Sequence, residues 1–279
     1  MLNKYEAKRY FRYAKKKIRV SLHGCRPTAI YGRVAVSPIL LNSIPKAGTH
    51  LLENALENFP CIRNAGKRTV HFWGEPDAGV LTSVSSIGRG SFLNAHLPAH
   101  PDIFKIVAEN KIKVLFVIRD PRDIVLSHFN YVTKIDPSHH LYNLYSGMKD
   151  DDERLLASIS GVGDIRPSIG VVLREFEPWI NNDQVFVCRF EDLIGPDGGG
   201  SSEVQNKLIL SIANYLEIQL DDSIINRISE KTFSTKSSTF RKGRAGGWRK
   251  AFKDVHVDAF KKAAGDELIR YGYEKNFDW

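Results

Sequence analysis

The chain has 279 residues, of which 42% are apolar, 10% aromatic and 26% charged, which is an ordinary globular composition. These proportions exclude collagen-like, low-complexity and wholly disordered classes, and the length allows one or two domains with a sizeable core. Lys and Arg number 40 against 32 Asp and Glu, and the resulting net charge of +8 favours an anionic ligand or surface.

The cysteine and hydropathy patterns indicate neither disulfides nor a membrane span. Cys25, Cys61 and Cys188 are odd in number and widely separated, so they predict neither a disulfide framework nor a thiolate metal site. No run approaches about 18 consecutive apolar residues, and the charged N-terminus lacks the apolar core of a signal peptide. We therefore expect a cytoplasmic protein in a reducing compartment, without a metal bound through thiolates.

The first 20 residues depart most from the average composition, since Lys and Arg are interleaved there with Tyr, Phe and Ile. We expect residues 1–30 to form a basic N-terminal arm and residues 31–279 a single α/β domain. A solvated helix that packs a few aromatics on the body is the favoured interpretation of residues 1–20, and a peripheral contact with an anionic membrane is the alternative. Without a nucleic-acid motif elsewhere, we expect no nucleic-acid partner.

The first predicted unit is a buried strand, a tight loop and a helix. The apolar run Ile39–Ser43 predicts the strand, and the sequence Ile44–Gly48 that follows is typical of a turn. Thr49 is expected to cap a helix whose apolar residues recur at helical spacing. The apolar side of that helix comprises Leu51, Leu52, Ala55, Leu56 and Phe59.

Two further strands extend the same pattern. Residues 113–118 predict a buried strand, and Pro121 then suits the first turn of a helix. Residues 185–188 predict a third strand, which follows an amphipathic helix near 168–180. Strands that alternate with helices predict an α/β fold in which a parallel β-sheet is flanked by helices.

The remaining segments carry weaker patterns. Residues 135–166 contain adjacent histidines, three consecutive aspartates and several glycines, and are expected to form a long loop or a partly ordered lid. Residues 195–200 are expected to form a surface turn before a helix that starts near Ser201. Another helix near 254–272 is expected to close the fold.

The loop after the first strand has the composition of a phosphate site. Backbone N–H groups at a helix N-terminus bind anions, and Gly48 lets the backbone approach a ligand closely. Lys46 adds a positive charge and Thr49 a hydroxyl group. The loop is not a Walker A motif, since the chain contains no Gly-Lys-Ser/Thr tripeptide. It predicts a strand–phosphate loop–helix unit similar to a P-loop, and a plain turn is the alternative.

Two more cationic motifs are candidates for binding anions, and the first of them suits a second phosphate. Arg119 follows the second strand, where α/β folds present ligand-binding groups, and Ser127 is expected on the first helical turns after it. The alternative is that Arg119 pairs with Asp123 as a helix cap. In the Gly-rich segment Phe240–Trp248 an Arg and a Lys are adjacent, and such a loop can also donate backbone N–H groups to an oxyanion. A solvated charged loop is its alternative.

These motifs, in this order, resemble those of the PAPS-dependent sulfotransferases of the cytosolic, soluble type (PAPS is 3′-phosphoadenosine 5′-phosphosulfate). The loop Pro45–Thr49 is similar to the family's PKxGT loop for the 5′-phosphosulfate. Arg119 and Ser127 are similar to its Arg…Ser pair for the 3′-phosphate. Residues 240–248 are similar to its C-terminal RKGxxGxW element, which also holds the 3′-phosphate.

Two shorter matches strengthen the resemblance, which runs from about residue 38 to residue 252. Ala95–Pro98 is similar to the family's THLP segment, whose His is the catalytic base. Phe190–Leu193 is similar to its YEDL segment, whose aromatic residue contacts the adenine. Each motif alone is weak, but five in the correct order are specific.

The resemblance implies transfer of a sulfuryl group from PAPS to a hydroxyl (or amine) of a small-molecule or glycan acceptor. PAP, the corresponding 5′-phosphate, is the implied product, and no metal is implied. The implied catalytic residues are His96 as general base, Lys46 as stabiliser of the leaving phosphate, and Ser127. The implied donor-binding residues are Lys46, Ala47, Gly48, Thr49, His50, Leu51, Arg119, Ser127, Phe190, Thr232, Phe233, Phe240, Arg241, Lys242 and Gly243.

The sequence also departs from the family pattern. His50 and Leu51 stand where members often have a Thr and an adenine-packing Trp. Asn94 stands where many have a Lys two residues before the catalytic His, and Gly247 replaces an Asp. The dimerisation segment that follows in many relatives is not reproduced, so an oligomer stays possible but not through that segment.

Two other classes of function stay open. A kinase or nucleotide hydrolase shares the strand–phosphate loop–helix architecture, but the chain lacks the Walker Lys and carries extra basic motifs for a second phosphate. A polyanion-binding protein that uses residues 1–20 would bind in a steeply salt-dependent way. The acceptor pocket is expected in residues 64–95 and 135–166, whose sequence does not indicate a particular class of acceptor.

Overall fold

The computed structural model describes residues 36–66, 68–233 and 244–279 of the chain. The strands of this part are β1 (Ile39–Ser43), β2 (Arg63–Asn64), β3 (Val70–His71), β4 (Ser91–His96), β5 (Lys113–Ile118) and β6 (Val185–Arg189). Its helices are α1 (Thr49–Leu56), α2 (Ala78–Ser85), α3 (Pro101–Glu109), α4 (Pro121–Lys134), α5 (Tyr142–Ser146), α6 (Asp151–Ser160), α7 (Ile169–Ile180), α8 (Phe190–Leu193), α9 (Ser202–Tyr215), α10 (Asp222–Thr232), α11 (Trp248–Ala251) and α12 (Asp254–Arg270).

The strands form one parallel sheet in the order β2-β4-β1-β5-β6, and β3 pairs with β4. The register sets Ser43 at the end of β1 beside Val117 of β5, and His71 of β3 beside His96 of β4. Because all these pairs are parallel, the carboxyl ends of the strands meet at one edge of the sheet. This arrangement confirms the predicted α/β fold with helices around a parallel sheet.

Helices cover both faces of the sheet, and β1 is buried along its whole length. Successive side chains of a strand point to opposite faces, so β1 and β5 contribute to two separate apolar clusters. Leu40 and Phe116 belong to one cluster, together with Trp179 of α7. Leu41 and Leu115 belong to the other, which includes residues of α1, α9 and α10. The sheet thus holds the loops at its carboxyl edge on a rigid base.

The strands over 39–43 and 113–118 are confirmed, and the third predicted strand extends to Arg189. The expected cap of α1 is wrong. Gly48 is the N-cap residue, and Thr49 is the first residue of the helix. The hydroxyl of Thr49 instead shares a hydrogen bond of 2.6 Å with Ser43 Oγ, so it joins the helix to the strand rather than capping it.

Residues 135–166 are not the expected long loop, because α5 and α6 lie within them. The aspartate run is a helix start. Asp150 Oδ1 accepts the N–H of Glu153 at 2.9 Å as an N-cap, and the acidic residues after it interact favourably with the helix dipole. Tyr145 Oη and Ser158 Oγ, 3.0 Å apart, join α5 to α6 in the interior.

The predicted turn over 195–200 contains a short 3₁₀ helix at Pro196–Gly198, and α9 follows it. The helix expected near 254–272 is confirmed as α12. The predicted basic arm, residues 1–30, lies outside the described residues and stays a prediction. In the part of the chain that is described, no helix has the length and apolar character needed to cross a membrane.

Candidate active site

The predicted site residues follow the carboxyl ends of neighbouring strands. Lys46 lies in the loop after β1, His96 is the last residue of β4, and Arg119 follows β5 directly. Phe190 follows β6 directly. Since β4, β1, β5 and β6 are adjacent in the sheet, these four residues are brought to one edge.

The loop between β1 and α1 is a tight turn, in which the N–H of Ala47 donates to the carbonyl of Ile44 at 3.0 Å. Lys46 has a φ of 74° and Gly48 a φ of 117°. A left-handed conformation costs a residue with a side chain about 1–2 kcal/mol, so the turn holds Lys46 under strain. The N–H groups of Gly48, Thr49 and His50 donate no hydrogen bond to the described residues. They form the open N-terminus of a helix, which suits an anion.

Phe190 closes the other side of this loop. A Cβ atom at Gly48 would lie 2.6 Å from Phe190 Cδ2, closer than any ordinary contact, so only glycine fits against the ring. The guanidinium of Arg119 lies over the same ring, 4.2 Å from its centroid. Phe190 is only 5% exposed, so it acts as a floor for both the loop and Arg119.

The Lys46 ammonium lies over the ring of Tyr131 in α4, 3.7 Å from the centroid. Burial and, to a lesser extent, the nearby charge of Arg119 lower the pKa of Lys46 to about 8, with Asp136 opposing the shift. The ammonium is therefore poorly hydrated, and an anion placed beside it would gain more from it than from an exposed lysine.

The imidazole of His96 is held by the end of β1. Its Nδ1 atom lies 2.8 Å from the carbonyl oxygen of Ser43 and 3.2 Å from Ser43 Oγ. A carbonyl oxygen can only accept, so Nδ1 carries the hydrogen and Nε2 is left as an acceptor. Burial, with smaller contributions from His50, His71 and Lys46, lowers the pKa of His96 to about 4, against the opposing effect of the Ser43 carbonyl. The ring is therefore neutral at physiological pH.

Arg119 is anchored at several points but keeps one donor unused. Its Nη1 donates to the carbonyl of Lys46 at 3.4 Å and its Nη2 to the carbonyl of Arg244 at 3.1 Å. Asp123 lies 3.8 Å from Nη2, so the ion pair of the alternative is also present, although the N-cap of α4 is Asp120 and not Asp123. The buried Nε atom has no hydrogen-bond partner among the described residues. An unpartnered cationic donor at this position fits an anionic ligand.

A buried network ties the C-terminal basic segment to α4. Asp123 accepts the N–H groups of Gly246 at 2.7 Å and Trp248 at 2.9 Å. The indole N–H of Trp248 donates to Asp120 at 3.0 Å, and the Arg122 guanidinium stacks 3.8 Å from the centroid of the Trp248 ring. The end of this segment is thus positioned next to Arg119. The predicted ligands Phe240, Arg241, Lys242 and Gly243 lie outside the described residues.

The other predicted residues lie on α1, on α4, on or directly after α10, and in the phosphate loop. His50 Nδ1 lies 2.7 Å from Glu53 Oε2 within α1, and Leu51 packs partly buried against the apolar cluster of that face. Thr232 ends α10, where its hydroxyl donates to the carbonyl of Ile228 at 2.8 Å. Ser127 lies half-buried on α4, Ala47 is buried in the loop, and Phe233 follows the end of α10.

The sequence motifs do not point to Ser43, Tyr131 or Asp136, although all three surround the predicted catalytic residues. Ser43 offered a signal, since it is a polar residue at the end of an apolar strand beside the phosphate loop. Tyr131 and Asp136 offered none, because only the path of α4 brings them to Lys46. Asn94 is buried two residues before His96, and its Oδ1 has no partner among the described residues.

Comparison with known proteins identifies the family. Residues 37–272 match the model of the sulfotransferase domain family. The mouse protein Sulfotransferase 2A6 is 22% identical over 71% of this chain and 70% of its own length. The guinea pig 3-alpha-hydroxysteroid sulfotransferase is 23% identical over 66% of this chain and 65% of its own length.

Solved structures share the fold. The mouse sulfotransferase SULT7A1, crystallised with PAP, has a TM-score of 0.61 at 18% identity and covers 83% of this chain and 84% of its own. A retinol dehydratase in complex with androsterone and PAP has a TM-score of 0.55 at 14% identity, over 82% of this chain and 80% of its own. The family match extends over most of the chain, and the chain belongs to the PAPS-dependent sulfotransferase family.

Proposed function

We propose that this protein transfers a sulfuryl group from PAPS to a hydroxyl (or amine) of a small-molecule or glycan acceptor. One observation carries the proposal. The open helix N-terminus after β1 lies at the same sheet edge as His96, whose Nδ1 bonds to the Ser43 carbonyl at the end of that same strand. An anion site and a proton acceptor are thereby joined through one residue. Sulfuryl transfer requires an anion site for the donor and a proton acceptor for the acceptor hydroxyl.

The donor's 5′-phosphosulfate is proposed to lie on the loop residues Lys46, Ala47, Gly48 and Thr49. The loop N–H groups, which donate to none of the described residues, and the Lys46 ammonium supply positive potential there without rearrangement, which is how a site stabilises developing charge. PAPS supplies the sulfuryl group, and a bound metal is not part of the proposal. Lys46 stabilises the negative charge that develops on the leaving phosphate as the bond to sulfur breaks.

The donor's 3′-phosphate is proposed to bind Arg119, whose Nε has no partner among the described residues, together with Ser127. Arg241, Lys242 and Gly243 are proposed to complete this end, since the described end of their segment is tied to Asp123 beside Arg119. His50, Leu51, Thr232, Phe233 and Phe240 are proposed to flank the nucleoside. Phe190 is proposed to support donor binding chiefly by seating Arg119 and Gly48, because little of its ring is exposed.

His96 is proposed as the general base. Its Nε2 carries no hydrogen in this tautomer and can take the proton of the acceptor hydroxyl, while Nδ1–H donates to Ser43 and that bond strengthens as the ring gains charge. The acceptor oxygen then bonds to sulfur, and the bond from sulfur to the phosphate oxygen breaks to leave PAP. Ser43 orients the base, since a fixed hydrogen bond on one ring nitrogen aims the other.

Nucleotide binding tests the donor side. PAP should raise the melting temperature of the protein much more than the same nucleotide without its 3′-phosphate, and more than ATP. Lys46→Ala should abolish most of this shift, whereas Lys105→Ala, at an exposed position of α3, should keep it. Charge-assisted contacts contribute about 1.5–3 kcal/mol each. Equal shifts with and without the 3′-phosphate in the unmutated protein would contradict the donor assignment.

Turnover tests the base. Screening hydroxyl and amine acceptors with labelled PAPS, read by the mass of sulfated products, should find an acceptor. His96→Ala and His96→Asn should both lower kcat by about 10²–10⁴. The Asn variant retains a side-chain amide that can donate to Ser43, so its PAP affinity should match that of the parent. Parental turnover in the Asn variant would transfer the base role to another histidine, such as His50, His71 or His100.

A further inference from the structure

Two residues outside the sequence motifs, Tyr131 and Asp136, lie next to Lys46. Its ammonium lies 3.7 Å from the centroid of the Tyr131 ring. The hydroxyl of that ring donates to Asp136 Oδ2 at 2.9 Å. The lysine, the aromatic face and the carboxylate thus form a line from the phosphate loop to the segment just beyond α4.

Asp136 is itself held rigidly. Its Oδ1 accepts the backbone N–H of Ser138 at 3.1 Å and the Ser138 hydroxyl at 2.5 Å. Its own N–H donates to the carbonyl of Tyr131 at 3.0 Å, which closes the segment onto the end of α4. Burial opposes ionisation of this carboxyl, but the hydrogen bonds from Ser138 and Tyr131 outweigh it and hold its pKa below the ordinary value. The carboxylate is therefore a permanent negative charge near Lys46.

Two charged groups near Lys46 act on its pKa in opposite directions. Arg119 is the cation that disfavours a charged Lys46, and Asp136 is the anion that favours it. His96, His128 and His139 also feel the charge of Lys46, and each has a pKa that is lowered chiefly by burial. These histidines are neutral at physiological pH, so Asp136 is the group that offsets Arg119.

We propose that Tyr131 and Asp136 are positioning residues for Lys46, with the ring seating the ammonium and the carboxylate keeping it protonated. This inference depends on the proposed function, in which Lys46 serves the donor's leaving phosphate. A cation on an aromatic face is attracted by the ring and so keeps its direction. The Lys46 ammonium is therefore oriented and charged before the donor binds. A phosphate of the donor can then replace the ring as its partner.

The proposal predicts a particular dependence on pH. An opposite charge nearby raises the pKa of a lysine, and its removal lowers that pKa. Asp136→Asn should move the pH at which Lys46 loses its proton from about 8 to about one unit lower. Above that pH the lysine is neutral, so PAP binding and kcat should fall at a lower pH than in the parent. At pH 8.5 the variant should bind PAP about five- to tenfold more weakly.

Acylation of Lys46 as a function of pH measures the same proton directly. The protein without nucleotide is pulse-labelled with an amine reagent from pH 6 to 10, and labelling is read on the peptide that contains Lys46. Asp183→Asn, an exposed aspartate after α7, is the matched control and should label like the parent. Asp136→Asn should shift the midpoint downwards. Tyr131→Phe keeps the ring but loses the bond to Asp136, and should shift it in the same direction by less.

Tyr131→Leu separates seating from charge. Loss of the ring should lower kcat by about three- to tenfold, with a smaller change in KM for PAPS, because the lysine is no longer aimed. Tyr131→Phe should restore this part of the rate. Midpoints for Asp136→Asn and Tyr131→Phe that coincide with the parent would overturn the proposal. Failure of the parent to bind PAP would instead refute the proposed function, while the labelling midpoints still report on the coupling of Lys46 to Asp136.

Discussion

Replacing Gly48 by alanine is expected to damage both the stability of the fold and the affinity for PAP. Gly48 has a φ of 117°, outside the range that residues with a Cβ readily adopt. The added Cβ would also lie 2.6 Å from Phe190 Cδ2 and 3.3 Å from Cε2. The ring must move, and the Arg119 guanidinium that stacks on it must move too.

The two effects have separate magnitudes. The backbone strain is worth about 1–2 kcal/mol, and forcing extra volume into a packed contact adds about 1–3 kcal/mol. The free energy of unfolding should therefore fall by roughly 2–5 kcal/mol. PAP affinity should fall at least about tenfold, since displacement of Arg119 weakens a charge-assisted contact.

Two glycines serve as matched controls for urea unfolding and PAP calorimetry. Gly74 has a φ of 80° with nothing within 4 Å of an added Cβ, so Gly74→Ala reports strain without a clash. Gly88 has open space and no left-handed φ, so Gly88→Ala should stay within about 0.5 kcal/mol of the parent. Combining Gly48→Ala with Phe190→Ala should recover part of the loss. If Gly48→Ala proved no more destabilising than Gly74→Ala, the packing argument would be refuted.

Three further predictions concern the site. The acid limb of kcat/KM should lie near pH 4 rather than near 6.5, because His96 acts as a base only while unprotonated and its pKa is lowered to about 4. An acid limb at pH 6.5 in a pH–rate series would contradict this. Arg119→Lys should weaken PAP binding by about tenfold and leave the affinity for the nucleotide without a 3′-phosphate nearly unchanged in titration calorimetry. Lysine lacks the planar guanidinium that forms two parallel hydrogen bonds and stacks on the Phe190 ring. Asp123→Ala should release the N–H groups of Gly246 and Trp248, increase amide exchange over residues 244–248 and lower PAP affinity; protection equal to that of the parent would count against the anchor.

Local patterns in the sequence were enough for β1, β5, most of β6 and the family, whereas the roles of the site residues stay a prediction. β1 and β5 are continuous apolar runs, because a strand in a parallel sheet is buried on both faces. Arg119 directly follows β5 and Lys46 lies three residues after the end of β1, so parallel pairing brings these two to one edge. His96 ends β4, a strand that the sequence patterns do not predict. Where the pattern was ambiguous the prediction failed: an aspartate run in 135–166 was assigned to a loop, although it caps α6.

Only the tertiary structure decided which side chains touch. The bond from His96 to Ser43 depends on the register of β4 against β1, and residues 53 positions apart have no sequence signal for it. The seating of Lys46 on Tyr131 depends on the course of α4, and the place of Phe190 under Gly48 on the approach of β6. Periodicity and capping act between near neighbours in the chain, whereas these contacts join distant segments. They arise when buried surfaces are packed to high density, and only the packed whole determines that arrangement.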